Sequence, residues 1–462
     1  MSKKNRNDIN IEKQTSENNM SKSKRGKRIK RLLGILGVIA ALYFIMIVAN
    51  IICNVSLRNY INSFDVVEYG EDRLVPVKED GYYCFKTDRD IDIMHITDIH
   101  IGGGFWSYKN DKKSIYELIT MLKAQKPDFV ILGGDNTYCV PAIGYNGGNT
   151  GNNRMTARTL IEVFEHEQVY FTTIFGNHDT ESFDYADRDE IGELYMKGDY
   201  KYCFFEQNFS DRDAETVPSV SNQFVLIKNT SGDITKVILL LDTNAYVDTS
   251  FISTIMGRYD TIHASQTQWA KETIADLSKK AGLPDGEYLK CLVFMHIPFG
   301  EYRSALDDLI EEVTDADGNI TFVSKEPENT VYIEGSWGEE KVCYGGLNNP
   351  GAPDKQDDFF EVMADELHSM EAAFCGHDHV NNAVVLYKGV MLCYGYSVDN
   401  EAYGNDIRYV GSQRGATVVT VSPDGSFSQQ HKNAYLDYGC STDEFVEVDP
   451  LGNLYPEWFR KP

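Results

Sequence analysis

The 462-residue chain has no CxxC pair, no internal repeat, and only one long uncharged apolar run. Without closely paired cysteines a cysteine-type zinc site is not indicated, and without a repeat a solenoid is not in view. The nine cysteines are an odd number. Cys291, Cys375 and Cys393 sit in apolar, strand-like runs and read as buried thiols. One or two disulfides remain open for a body outside the cytoplasm. Basic charge is scarce beyond the N-terminus. Residues 1–31 hold eleven Lys/Arg against three Asp/Glu, and subtracting that +8 from the net charge of −26 leaves −34 on the rest of the chain. A body that acidic repels polyanions, which argues against nucleic acid as a partner. A bound cation would still draw a small anionic group to it. The 42% hydrophobic content is ample for one large core.

The one apolar run is Leu32–Ile52, LLGILGVIAALYFIMIVANII, 21 residues without a charge. As a helix it spans about 30 Å, the hydrocarbon thickness of a bilayer. Lys22, Lys24, Arg25, Lys27, Arg28, Lys30 and Arg31 precede it, which by the positive-inside rule keeps the N-terminus cytoplasmic. The expectation is a single-pass anchor in the cell membrane with the body extracytoplasmic. A cleaved signal has a shorter apolar core and a small-residue cleavage site, and Ala49 lies in no clear A-x-A pattern. The organisation expected is a basic cytoplasmic tail (1–31), a transmembrane helix (32–53), a linker and entry segment (54–89), a catalytic domain (90–435) and an acidic tail (436–462).

From Asp90 onward short apolar strands alternate with helical spacing. Strands are expected at Ile91–Ile96, Phe129–Leu132, Val169–Phe175, Phe224–Lys228, Val237–Asp242, Leu289–Met295, Ala372–Cys375, Ala383–Tyr387 and Val390–Tyr394. Helices are expected at Ser114–Ala124, Ala157–Glu167 and Ser265–Lys280. Ala416–Ser422 and Ser426–His431 read as a hairpin around Pro423-Asp424-Gly425. This alternation is α/β, and its mix of crossovers and hairpins predicts two packed mixed β-sheets flanked by helices. Pro141–Asn153 reads as a loop. Glu301–Asp357 reads as a long irregular stretch, with Ile320–Val323 and Val331–Ile333 as a small hairpin within it.

The polar residues that stand out follow strand ends: Asp98-Ile99-His100, Gly133-Gly134-Asp135-Asn136, Gly176-Asn177-His178-Asp179, Met295-His296-Ile297-Pro298 and Gly376-His377-Asp378-His379. That edge of an α/β sheet is where ligands bind. Glycines 133, 134 and 176 let the backbone turn without a Cβ penalty. Imidazole and oxygen donors suit Mn, Fe or Zn. A phosphoester needs charge neutralisation, a positioned hydroxide and a proton for the leaving oxygen, and two adjacent cations with an unligated histidine meet those needs.

In order and spacing the five blocks resemble the calcineurin-like metallophosphoesterases, from about Ile91 to Tyr394. The wording His296-Ile297-Pro298 and Gly376-His377-Asp378-His379-Val380-Asn381 is similar to phosphatases related to the purple acid phosphatases. The resemblance implies a four-layer sandwich, two divalent or trivalent metal ions, and a small phosphoester substrate attacked by a metal-bridging hydroxide. By matching motif, Asp98, His100, Asp135 and His379 would hold the first metal. Asp135, Asn177, His296 and His377 would hold the second. His178 would assist the leaving group, and Asp179 would orient His178. Tyr138 stands where true purple enzymes supply a tyrosinate, but those enzymes have Gly where this chain has His100, so His100 is expected to fill the site.

Other residues read more plainly. His95 is expected as a satisfied core histidine, His263 as a helix-entry residue, and His166, His368 and His431 as surface residues. Tyr302 and Arg303 could meet substrate phosphate. Asp242 could support the metal site or cap a turn, and Gly102–Gly104 with Trp106 could be a pocket wall or plain loop. Hydrolysis of a phosphate monoester is the leading reading. A phosphodiester of a nucleotide or lipid headgroup shares the same chemistry. A non-catalytic membrane-anchored binding module would lack a ligand or His178, and none is missing.

Overall fold

The computed structural model describes residues 3–139, 150–181, 183–211, 218–248, 250–314, 320–335, 337, 342–347, 357–379, 381–401 and 414–440. The chain divides into two compact units, 1–52 and 53–462. The first lies within helix α1, Lys3–Ile61, whose last residues belong to the second. Its Lys24–Ile61 part is long and apolar enough to cross a membrane, and the large apolar side chains of Leu32–Ile45 stand exposed.

Among the described residues the second unit is built on sixteen strands: β1 Val77–Glu79, β2 Tyr82–Lys86, β3 Ile91–Ile96, β4 Phe129–Gly133, β5 Phe171–Ile174, β6 Gln223–Lys228, β7 Ile234–Leu241, β8 Cys291–Met295, β9 Ile310–Thr314, β10 Ile320–Ser324, β11 Thr330–Glu334, β12 Met370–Cys375, β13 Val384–Tyr387, β14 Val390–Tyr394, β15 Gly415–Val421 and β16 Phe427–Asn433. Among the described residues β16-β15-β3-β4-β5 form one mixed sheet, and β1-β2-β6-β7-β8-β12-β14-β13-β11 form a second. Strands β3, β4 and β5 run parallel, as do β7, β8, β12 and β14.

The period of two along each strand sorts side chains into layers. Ile91, Ile93, Phe129 and Ile131 of the smaller sheet meet Ile238, Leu240, Leu292, Phe294 and Phe374 of the larger one in a central core. Their neighbours Met94, Ile96, Val130 and Leu132 face helices α2 (Tyr108–Gln125), α3 (Asn153–Glu167) and α4 (Arg188–Lys197). Beyond the short α5 (Phe251–Ile255), helices α6 (Ala264–Lys280) and α7 (Gly300–Leu309) cover the larger sheet. The result is the expected four-layer α/β sandwich. Burial on both faces explains why these strands read as nearly continuous apolar runs.

The structure revises several local expectations. The stretch read as a linker, 54–89, is integral to the body: Leu57 and Ile61 are buried, and β2 pairs in parallel with β6. Cys84 and Phe85 on β2 enter opposite cores, which a three-residue apolar signal does not announce. The segment 301–357 is less irregular than expected. It carries α7, and β10 pairs with β9 rather than with β11. Strand β11 joins β13 at the edge of the larger sheet. Most of the loop expected at Pro141–Asn153, and the acidic tail beyond residue 440, lie outside the described residues. Among the described residues no disulfide is formed, and Cys291, Cys375 and Cys393 are buried.

Candidate metal centre

Three of the five polar blocks leave their strands through a left-handed backbone. Asp98, His100, Asp135 and His377 all hold a left-handed backbone, with φ of 52°, 54°, 48° and 73°, a conformation that non-glycine residues adopt only when their surroundings compel it. Gly134, at φ 92°, turns where a side chain would be strained, and a Cβ there would strike the His296 ring. Gly176 has an ordinary φ, and its role is clearance: a Cβ would fall on the Asp135 carboxylate.

These turns bring two groups together. Asp98, His100, Asp135 and His379 offer donor atoms within 4.8 Å of one another, as do Asp135, His296 and His377. Asp135 belongs to both. Its Oδ2 lies 3.4 Å from His100 Nε2 and 3.1 Å from His296 Nε2, and His379 Nε2 lies 3.2 Å from Asp98 Oδ1. Asn177 stands on the turn after β5, where its Nδ2 donates to the Tyr246 hydroxyl at 3.1 Å, which fixes the amide.

The donor atoms themselves test whether cations fit. His100 Nε2, Asp135 Oδ2, Asn177 Oδ1, His296 Nε2 and His377 Nε2 are buried without a hydrogen-bond partner. Buried polar atoms are rarely left so, and His100, Asp135, His296 and His377 among them are members of the two converging groups. The opposite ring nitrogens are held: His296 Nδ1 donates to the Gly133 carbonyl at 2.9 Å, and His379 Nδ1 lies 3.1 Å from Asp399 Oδ2. This is how proteins fix the tautomer of a ligating imidazole. Burial lowers the pKa of His377 to about 3 and also lowers that of His100, so both present neutral rings, the form a cation binds. Burial would raise Asp135, but His296, His178 and His100 hold it well below the usual carboxylate range. A third cluster, Cys343, His377 and Asp378, overlaps the second at His377. Its Asp378 carboxylate already accepts the Tyr394 hydroxyl at 2.8 Å.

His178 is placed differently. Its backbone N–H donates to Asp135 Oδ1 at 2.7 Å, while its side chain stays 25% exposed. His178 Nδ1 lies 2.5 Å from Glu181 Oε1. Burial opposes the imidazolium, but Asp135 and Glu181 outweigh it and hold the ring up to about 9. A cavity of about 440 Å³ opens beside it, lined by Glu181, Asp187 and Tyr246 among others.

The expected partnership of Asp179 with His178 is not the one present. Asp179 accepts the backbone N–H groups of Asn136, Thr137 and Gly176 at 2.8–3.0 Å. It thus staples the Asp135 turn to the Asn177 turn, and its oxygens are committed there. Glu181 takes the position beside the imidazole.

Tyr138 stacks on His100 with centroids 5.2 Å apart and stands edge-on to His178 at 5.0 Å. Asp242 is bound to buried Arg188 at 2.6 Å, and Arg188 donates to the carbonyls of Gly176 and Phe175 at 2.8 and 2.9 Å. Asp242 therefore braces the Asn177–His178 turn from behind. Tyr302 and Arg303 are not brought to the site: the Tyr302 hydroxyl donates to Ala373 in the core, and Arg303 pairs with Asp307.

His95 is buried between the sheets against Phe294 and Phe374, but neither ring nitrogen has a partner. Burial drives its pKa to about 3, which keeps the ring neutral. His431, expected at the surface, turns Nε2 to the Tyr394 carbonyl at 2.8 Å. His166 pairs with Glu167, and His368 bonds the Ala364 carbonyl.

His263 precedes α6 as expected and also ties down the segment before it. Its Nδ1 lies 2.5 Å from Asp211 and its Nε2 3.0 Å from Asp260. Burial opposes the cation, but these two carboxylates raise the pKa to about 10. A raised pKa contributes stability that is full below the ordinary value near 6.5 and is lost as pH rises through about 10. His263→Gln should therefore cost about 1.5–3 kcal/mol at pH 6, with a much smaller deficit at pH 11. Chemical denaturation at the two pH values checks this, and an equal deficit at both contradicts it.

A model of the calcineurin-like phosphoesterase family matches residues 91–381. The chain is 25% identical over 356 residues to probable inactive purple acid phosphatase 14 of Arabidopsis thaliana, covering 72% of this chain and 76% of that one. It is 23% identical over 341 residues to probable inactive purple acid phosphatase 28 of the same plant, covering 69% and 73%. A dimetal phosphatase from Danio rerio superposes with a TM-score of 0.42 at 10% identity, covering 75% of this chain and 97% of that one. With 291 residues matched, spanning all five polar blocks, the chain belongs to the calcineurin-like phosphoesterase family.

Proposed function

We propose that this chain is a membrane-anchored, dinuclear-metal phosphatase that hydrolyses phosphate monoesters. The observation that carries the reading is the convergence of otherwise unpartnered, buried donor atoms on two groups that share Asp135. Asp98, His100, Asp135 and His379 would hold one cation, and Asp135, Asn177, His296 and His377 the other. Their mix of imidazole, carboxylate and amide donors suits Mn, Fe or Zn. When bound, such a pair supplies Lewis acidity toward the phosphoryl oxygens and a water ionised near neutral pH.

The chain's own residues do the rest. Asp179 and Arg188 fix the turn that carries Asn177 and His178. Glu181 holds His178 Nδ1, which leaves Nε2 to deliver a proton to the departing oxygen. With cations on Asp135, Glu181 is the carboxylate that remains to keep the imidazole protonated. The preference for monoesters is supported by the names of the plant relatives, which are phosphatases by title. The word inactive in those names describes those proteins. Support for turnover here lies in this chain's own complement, which includes His178 and every expected ligand.

The Leu32–Ile52 run would anchor the body, with the basic tail in the cytoplasm. The test is turnover of an aryl phosphate monoester and the matching diester by the manganese-loaded full chain. Faster release from the monoester is expected, and a faster diester reaction contradicts the proposed preference.

A further inference from the structure

The aromatic side chains that stand out from the body are not scattered. Among the described residues beyond α1, those left exposed are Phe105, Trp106, Phe183 and Tyr185, with Trp106 66% and Tyr185 72% exposed. All four ride on the two loops that leave the centre. Phe105 and Trp106 follow His100 through Ile101-Gly102-Gly103-Gly104, and Phe183 and Tyr185 follow His178 and Glu181. The loops are tied to each other beside the site. Tyr185 N–H donates to the Gly151 carbonyl, Gly151 N–H to the Cys139 carbonyl, and Tyr138 N–H to the Ile101 carbonyl of the first loop, all at 2.9 Å. A third segment, α5, bears exposed Ile252 and Ile255. It leaves the body between Tyr246, which bonds Asn177, and Tyr259, whose ring stands edge-on to His377 at 4.6 Å.

Exposed apolar side chains gathered on segments that leave one site, on a strongly acidic body, mark a contact site. The first loop is also where the body receives the chain from the apolar run. Asn54 Nδ2 donates to the Gly103 carbonyl, its Oδ1 accepts from Thr159 at 2.9 Å, and Ser56 lies 2.6 Å from the Tyr108 hydroxyl. Asn54 is two helical residues past Ile52, where that run ends, a rise of about 3 Å. Phe105 is two residues from Gly103, a reach of about 7 Å at most. Chain connectivity alone therefore keeps the aromatic pair within reach of the end of the apolar run, and Trp and other aromatics concentrate where a bilayer passes from hydrocarbon to headgroup.

We propose that this rim beds into the surface of the bilayer that receives residues 32–52, and that the phosphoester reaches the centre from that surface, as the headgroup of an amphiphile with an apolar tail. The inference rests on the membrane-anchored phosphoesterase reading above and names its substrate class. It needs no basic patch: on a zwitterionic surface the insertion of Trp and Phe side chains gains from apolar burial.

The full chain reconstituted into phosphatidylcholine vesicles provides the test. Bromine on the acyl chains should quench wild-type tryptophan emission by a larger fraction than it quenches Trp106→Phe. Phosphate release from long-chain phosphatidate in those vesicles should fall about tenfold or more in Phe105→Ser/Trp106→Ser, the effect of losing two buried aromatic side chains. Release from soluble p-nitrophenyl phosphate should change less than about twofold. Equal quenching of the wild type and Trp106→Phe overturns the proposal, as would happen if a second copy or a soluble protein covered the rim. Equal loss on both substrates overturns it as well. Failure of the wild type on p-nitrophenyl phosphate itself would refute the phosphoesterase reading separately, and the quenching comparison, which needs no turnover, would still decide the rim.

Discussion

His178→Ala is expected to lower kcat by about 10²–10⁴-fold, the usual contribution of a positioned acid–base group, with both metal equivalents retained. The retention follows from geometry. Asp135 Oδ1 is held by the His178 backbone N–H at 2.7 Å, which alanine keeps, and the imidazole is absent from both donor groups. The loss should appear in kcat and kcat/KM alike, because the proton is delivered only as the bond to the leaving oxygen breaks. Substrates whose leaving group needs no proton, such as a nitrophenolate, should suffer less than alkyl esters. Glu181→Gln should give a smaller loss of the same pattern, since the imidazole stays but its charge loses support. Metal analysis beside a comparison of aryl and alkyl monoesters checks all of this. Wild-type turnover of an alkyl ester by His178→Ala would remove the residue from the mechanism.

Asp135→Asn is expected to act on the metals themselves. Asp135 is the one residue common to both groups, and its Oδ2 faces His100 and His296 at 3.4 and 3.1 Å. An amide brings one neutral oxygen where a carboxylate brings two and a charge. Outer residues that merely orient a ligand are worth about 10–100-fold in metal affinity, and loss of a shared ligand should cost at least that. The variant should therefore hold less than two equivalents after dialysis and show turnover near background. Mass spectrometry of bound metal reads the result directly, and two retained equivalents would show that Asp135 is not shared. Loss of fold is a separate outcome that circular dichroism distinguishes. The buried Asp179 staple between the two turns remains intact in this variant.

The clustering of the Asp and His blocks was legible in sequence because they obey one rule. Each block follows an apolar run of four to eight residues, and parallel strands put such ends on one edge. What the rule missed has physical causes. Asp399 holds His379, and its signal was available: it lies five residues past the end of Val390–Tyr394. Glu181 lies in a loop without period, so nothing in the sequence separates it from Asp179 as the partner of His178. Arg188 sits at the start of a ten-residue helix, and its pairing with Asp242 spans 54 positions. Long-range pairing also explains the hairpin error, because Ile310–Thr314 and Ile320–Ser324 are matched by register, not by an apolar pattern. His95 was placed in the core but not foreseen as unpartnered. The clearance around its ring comes from Gly133 and Gly395, whose closeness only the packed sheets reveal.

The central claim is that the two donor groups sharing Asp135 form a working dinuclear centre. The most direct measurement is phosphate released from an aryl monoester by the purified full chain, before and after chelation and reloading, with bound metal counted in the same sample. The account predicts two equivalents of Mn, Fe or Zn per chain, turnover abolished by chelation, and turnover restored with the second equivalent. Two equivalents bound with no release from any monoester or diester would contradict it.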